Sequence, residues 1–245
     1  MAIQQQRLWL TSAPALVMYT HQTPAESGTH GTILFYHDHG ASKEHNEADL
    51  ARFAQAGFLA VGLDNVGHGE RRYSDSDRRF SAPGHSMEAE FLSAVHATAS
   101  EVPAVIDTLI SRGWSQQDRI GIAGISMGGF ITYAAIVADK KQRLCAATPI
   151  LGSPTWLLPR AESPHQHPEA FFPTALLSQN AGRDSEVPAS LVRDFHQWLA
   201  PYYASAPERL HYIEYTNADH ELSAEIWAQV WHQVMAWFKR FLPNQ

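Results

Sequence analysis

The sequence predicts an α/β fold, with a mostly parallel sheet carrying helices on both faces. Short apolar and β-branched runs alternate with helical patterns from one end of the chain to the other. No Pro/Gly/Ser-rich linker, internal repeat or low-complexity block divides it. The 245 residues, 44% hydrophobic and 18% charged, are enough to bury one sizeable core. Strands joined by crossover helices build a parallel sheet covered on both sides. One domain over residues 1–245 is therefore expected.

Each element follows from local pattern. Leu16–Thr20 and Thr32–Tyr36 are short apolar runs bounded by turn residues, hence strands. Glu47–Ala56 has helical spacing and stops at Gly57. Phe58–Leu63 is a strand ending at Asp64, and a polar loop follows from Asn65 to about Gly84. Met87–Arg112 is a long amphipathic helix with a kink expected at Pro103. Arg119–Ile125 is a buried-type strand, Met127–Ala138 a helix and Arg143–Pro149 a strand. Residues 152–173 form a Pro- and aromatic-rich insertion. Thr174–Ser178, Pro188–Leu199, Leu210–Tyr215 and Glu221–Phe241 then repeat strand and helix.

Composition narrows the function. One cysteine supports neither an internal disulfide nor a Cys-based zinc site. Eighteen Lys and Arg against 25 Asp and Glu, a net charge of −7, leave no basic excess for nucleic acid. Apolar runs such as Ile131–Ala138 fall far short of the about 20 residues a membrane span needs. The N-terminus lacks a clean signal-peptide pattern, so a cytoplasmic location is expected. The fourteen histidines raise the question of a metal site. His37-x-His39 places two imidazoles on one side of a strand. No third ligand completes that set, so neither metal nor cofactor is expected. His165-x-His167 is read as solvated.

In open α/β sheets, ligands bind where strands end. Directly after Arg119–Ile125 comes Gly124-Ile125-Ser126-Met127-Gly128, a G-x-S-x-G in strand–turn–helix context. Small residues two before and two after Ser126 let strand and helix approach and leave its hydroxyl exposed. The Met127 N–H at the helix start can face an oxyanion. A Ser hydroxyl needs a base, and the base an orienting acid. Asp184 lies past the strand Thr174–Ser178, with Glu186 as the fallback. His220 follows the last strand, completing the order Ser, Asp, His. Asp219, beside it, is read as a turn residue. The alternative for Ser126 is a helix N-cap, and for Asp184 a turn carboxylate. A second oxyanion donor is expected from the backbone N–H of His39.

These motifs resemble the α/β-hydrolase family. They are most similar to small bacterial esterases of its dienelactone-hydrolase-like and prolyl-oligopeptidase-like branch. His37–Glu44 (HDHGASKE), Asp64–Arg71 (DNVGHGER), GISMGG and Asn180–Pro188 (NAGRDSEVP) carry the likeness. It covers about Gly31 to Phe241. Asp38, Asn180 and Ala181 depart from the pattern. The resemblance implies an eight-stranded type of sheet with a short lid at 152–173. It also implies acyl transfer to water by Ser126, Asp184 and His220, with the N–H groups of Met127 and His39 as oxyanion hole. Dienelactone hydrolases proper use a Cys nucleophile, whereas Cys145 lies inside a strand.

The expected substrate is a small to medium ester. His37, Trp156, Phe171 and Phe172 are the expected pocket residues, though the aromatics have the alternative of packing the insertion onto the core. Arg71, Arg72, Arg78 and Arg79 either recognise an anionic substrate or form a solvated loop, the second reading being favoured. A peptidase or amidase of the same fold ranks below the esterase, and a non-catalytic binding protein lower still. The sequence leaves the oligomeric state open.

Overall fold

The computed structural model describes residues 2–81 and 85–242. The eight strands are β1 (Gln4–Leu10), β2 (Ala13–Tyr19), β3 (Thr32–Tyr36), β4 (Leu59–Leu63), β5 (Ile120–Ile125), β6 (Leu144–Ile150), β7 (Ala175–Ala181) and β8 (Leu210–Tyr215). The helices are α1 (Pro24–Gly28), α2 (Glu47–Gln55), α3 (Ser76–Ser81), α4 (His85–Ser111), α5 (Met127–Ala138), α6 (Ala189–Leu199) and α7 (Ala224–Phe241). Among the described residues, no helix is long and apolar enough to cross a membrane.

All eight strands form one sheet in the order β1-β2-β4-β3-β5-β6-β7-β8. β1 and β2 are antiparallel, as are β2 and β4; every other pair is parallel. Strand side chains alternate between two cores, as the pleat requires. In β3, Leu34 and Tyr36 join the core under α4, α5 and α6, while Ile33 and Phe35 join the core under α2 and α7.

The single-domain, mostly parallel architecture is the one expected, with differences at the edges. β1 was not anticipated: Gln4-Gln5-Gln6-Arg7 lies largely exposed on the outermost strand, so pairing rather than apolar pattern makes it a strand. The loop after β4 holds α3 and a short 3-10 turn at Gly69–Arg71; its expected end at 82–84 lies outside the described residues. α4 begins at His85 and runs on through Pro103 as one helix. α7 begins three residues later than expected, because Ser223 caps it by accepting from the Ile226 N–H at 3.4 Å. The preceding turn, with His220, is thereby left outside the helix.

The sharpest packing constraint lies where β5 meets α5. A Cβ on Gly124 would stand 2.4 Å from the Gly128 carbonyl carbon. A Cβ on Gly128 would stand 2.0 Å from the carbonyl oxygen of Tyr36, at the end of β3. Both contacts are with backbone, which cannot rotate away. Gly128→Ala is accordingly expected to lower stability by about 1–3 kcal/mol. At about 2–4 °C per kcal/mol for a chain of this size, the loss is readable as a fall in the thermal unfolding midpoint.

Candidate active site

Ser126 occupies the turn between β5 and α5 at φ 52°, ψ −111°. A non-glycine residue there is strained, at a cost of about 1–3 kcal/mol. Backbone bonds on both sides hold it: its N–H donates to the Ile150 carbonyl at 2.8 Å, and its carbonyl accepts from Phe130 N–H at 3.1 Å. The side chain makes no capping bond to the helix, which removes the N-cap alternative. Instead, Ser126 Oγ lies 3.1 Å from His220 Nε2.

The opposite nitrogen, His220 Nδ1, is 2.7 Å from Asp184 Oδ2. A carboxylate accepts, so Nδ1 carries the proton and Nε2 offers its lone pair to the Ser126 hydroxyl. The Asp184 side chain is fully buried. Its other oxygen accepts backbone N–H groups from Glu186 at 2.9 Å and Val187 at 2.8 Å. Three groups far apart in sequence thus converge: β5–α5 supplies the serine, the β7–α6 loop the acid, and the β8–α7 turn the imidazole. Glu186, the fallback acid, is exposed, as is Asp219.

Met127 opens α5, so its N–H has no partner within the helix. Among the described residues, the N–H groups of Met127 and His39 take part in no bond with backbone outside the helices and strands. His39 lines the same cavity as Ser126, and Met127 follows Ser126 in the chain. The His39 ring packs at 5.1 Å against both His68 and Phe80. Burial holds His39 below the usual imidazole range, and takes His68 down to about 4. His68 Nδ1 donates to the Val66 carbonyl at 3.1 Å.

His37 is not a pocket residue. It is fully buried, donating from Nδ1 to the Asp38 carbonyl at 2.8 Å and accepting at Nε2 from Asn65 N–H at 3.1 Å. Both nitrogens are engaged, so neither has a lone pair for a metal. No group of three or more metal-ligating side chains occurs among the described residues. His165 and His167 are half-buried rather than solvated, and bond to carbonyls of the insertion. Burial raises the Cys145 thiol above its ordinary range, far from thiolate reactivity.

Beside Ser126 opens a cavity of about 370 Å³. Phe91, Leu92, Phe130, Val187 and Leu191 give it apolar walls, and the insertion contributes Ser153, Thr155 and Leu157. The expected aromatics are elsewhere. Trp156 and Phe171 are buried, Phe171 against Tyr133 and Phe195, and Phe172 packs on Tyr203. They pack the insertion onto the body because each has a core surface to cover. Leu157, 65% exposed, is the residue of this stretch that faces the cavity mouth.

The arginines of the loop after β4 are each paired with a carboxylate, from the loop itself or from α4. Arg71 makes two 2.7 Å bonds to Glu101, and Arg72 reaches Asp77 at 2.6 Å. Arg78 pairs with Asp75, and Arg79 with Asp75 and Glu90. None of the four lines the 370 Å³ cavity. Two carboxylates, Glu88 and Glu186, do line it, and among the described residues no Lys or Arg does.

The chain matches the Dienelactone hydrolase family over residues 18–242. It belongs to that family. A Bacillus subtilis (strain 168) protein bearing the name "Putative esterase YitV" is 27% identical over 219 residues, covering 78% of this chain and 82% of its own. TT1662 from Thermus thermophilus superposes over 100% of both chains at a TM-score of 0.79 and 21% identity. Thermogutta terrifontis esterase 2, phosphoramylated by tabun, covers 98% of this chain and 97% of its own at a TM-score of 0.72 and 14% identity. This dienelactone hydrolase family member is a hydrolase with the α/β-hydrolase fold.

The buried histidines tie stability to pH. Both His37 and His68 titrate below their ordinary value of 6.5, burial being the main cause. Below pH 6.5 the unfolded chain takes up protons that these folded imidazoles refuse. Unfolding therefore becomes easier as pH falls from 6.5 toward 4. Urea midpoints are expected to drop between pH 7.5 and 5. His68→Asn, which keeps a donor near Nδ1, should give a shallower decline.

Proposed function

We propose that this hydrolase cleaves small to medium carboxylic esters through an acyl-enzyme on Ser126. The observation that carries the reading is the continuous hydrogen-bond chain from Asp184 through His220 to Ser126 Oγ, at 2.7 and 3.1 Å, opening on an apolar cavity.

Ser126 Oγ attacks the ester carbonyl carbon while its proton passes to His220 Nε2. Asp184 keeps the ring oriented and stabilises the imidazolium. The negative charge forming on the carbonyl oxygen is met by the N–H groups of Met127 and His39, which need no reorganisation. Collapse of the tetrahedral intermediate expels the alcohol, which takes the proton back from His220. Water then enters, is deprotonated by the same Nε2, and frees the acid and Ser126 in a mirror sequence.

The cavity's about 370 Å³ is at the lower end for ligand sites, which supports short rather than long acyl chains. Its walls supply carboxylates and no cation, which supports an uncharged substrate. The phosphoramylation of the Thermogutta terrifontis esterase suggests the probe.

A fluorophosphonate should label the wild-type protein and fail to label Ser126→Ala. In the same variant, kcat toward p-nitrophenyl butyrate is expected to fall about 10⁴-fold or more. Labelling that persists in Ser126→Ala would refute the serine mechanism. Across a p-nitrophenyl ester series, kcat/KM should peak at short acyl chains. An ester whose acyl chain ends in a carboxylate should react about tenfold more slowly than a neutral one of equal length. Equal rates would remove the charge argument.

A further inference from the structure

Two sequence segments that carry the family likeness, HDHGASKE and DNVGHGER, contain no member of the triad. The structure puts them face to face. Tyr36 at the end of β3 is in register with Leu63 at the end of β4, so the loops that follow these neighbouring strands leave the sheet together. The first loop carries the His39 N–H. Its own backbone supplies little order: Ala41 N–H to the Asp38 carbonyl, at 3.4 Å, is its one internal bond before the turn at Lys43.

The second loop supplies the rest. Asp64 is fully buried. Its Oδ1 accepts the backbone N–H of Lys43 at 2.9 Å; its Oδ2 accepts Lys43 Nζ at 2.9 Å and the Glu70 N–H at 3.0 Å. Lys43 is only 1% exposed, and its ammonium also reaches Glu70 Oε1 at 2.6 Å and Glu44 Oε1 at 3.1 Å. At the other end of the oxyanion loop, the Asn65 N–H donates to His37 Nε2 and the Asn65 side chain to the His37 carbonyl at 2.9 Å. His39 thus sits in a short span tied at both ends to the residues after β4. Gly69, at φ +54°, closes the arrangement: a Cβ there would lie 2.2 Å from the Asp64 carboxylate.

Stability does not by itself account for this pair. Desolvating two charges costs several kcal/mol per ion, and apolar side chains of similar volume often serve a fold as well. What an apolar pair lacks is an acceptor for the N–H groups of Lys43 and Glu70. We propose that Asp64, held in place by Lys43, is a positioning residue of the reaction. It fixes the oxyanion loop so that the His39 N–H meets the developing negative charge. The inference rests on the esterase reading above, in which that N–H is an oxyanion donor.

An oxyanion contact made only in the transition state acts on kcat and leaves KM alone. Removing one such donor outright costs about 10²–10³-fold, and misplacing it costs less. Asp64→Asn keeps the shape of the side chain but loses one acceptor. Its kcat for p-nitrophenyl butyrate, per site titrated to completion with fluorophosphonate well below the unfolding midpoint, should fall about 10–100-fold. KM should stay within about twofold. In the double variant Lys43→Met/Asp64→Leu, the unfolding midpoint should recover relative to Lys43→Met alone, and kcat should not. A kcat per titrated site that matches wild type in Asp64→Asn would overturn the proposal. So would a loss confined to KM, or a double variant that regains kcat along with stability. If wild type is labelled at Ser126 and Asp64→Asn keeps its kcat, only the positioning role falls. If wild type is not labelled, the esterase reading falls and takes this proposal with it.

Discussion

The site depends on a contact between backbones that no side chain can enter. β5 and α5 meet at Gly124 and Gly128, and Gly128 also rests on the end of β3. This three-way approach forces Ser126 to positive φ and lifts its side chain clear of the helix it starts. The strain is offset by the fold on either side, through the buried Ile150 carbonyl and the first turn of α5. The same approach brings β3 within reach of Ser126, and with it the loop carrying His39. A looser joint would separate Ser126 from the His39 loop even with every one of these residues present.

The imidazoles around this joint divide by their hydrogen bonds. His220 has a carboxylate on one nitrogen and a hydroxyl on the other. His37 has a carbonyl on one side and a backbone N–H on the other, which suits only the neutral ring. His68 is neutral for a different reason, its burial among His39, Phe80 and the turn after β4. One histidine links a carboxylate to a serine hydroxyl, and two others serve as neutral, polar packing.

The three side chains that the structure brings into one hydrogen-bond chain were legible in the sequence because each is tied to local pattern. Ser126 stands in a spaced glycine motif; Asp184 and His220 each follow a readable strand. The mostly parallel sheet with helices on both faces was legible from the alternation of strands and helices. The order of its strands was not, because local pattern does not say which strand lies beside which. Nor was the cavity. Phe91, Leu92, Phe130, Val187 and Leu191 come from three separate helices and loops, and amphipathic spacing says that a face is apolar without saying what it faces. Aromatic content in the insertion pointed to a pocket, yet Trp156 and Phe171 had more surface to bury in the core. β1 escaped notice because an outer strand can be polar when its neighbour supplies the hydrogen bonds. The arginines of the loop after β4 could be read only with their acidic partners, two of which, Glu90 and Glu101, lie on α4.

The insertion sets Trp156 and Leu157 side by side with opposite burial, 1% and 65% exposed. The first anchors the segment in the core, and the second presents a side chain to the cavity. The lining of the cavity and the seating of the segment are therefore written in adjacent letters but subject to different constraints. A substitution at 157 changes the lining of the cavity while the anchor beside it keeps the segment seated. The wall of the cavity is therefore free to drift at that position without the chain passing through variants that fail to fold.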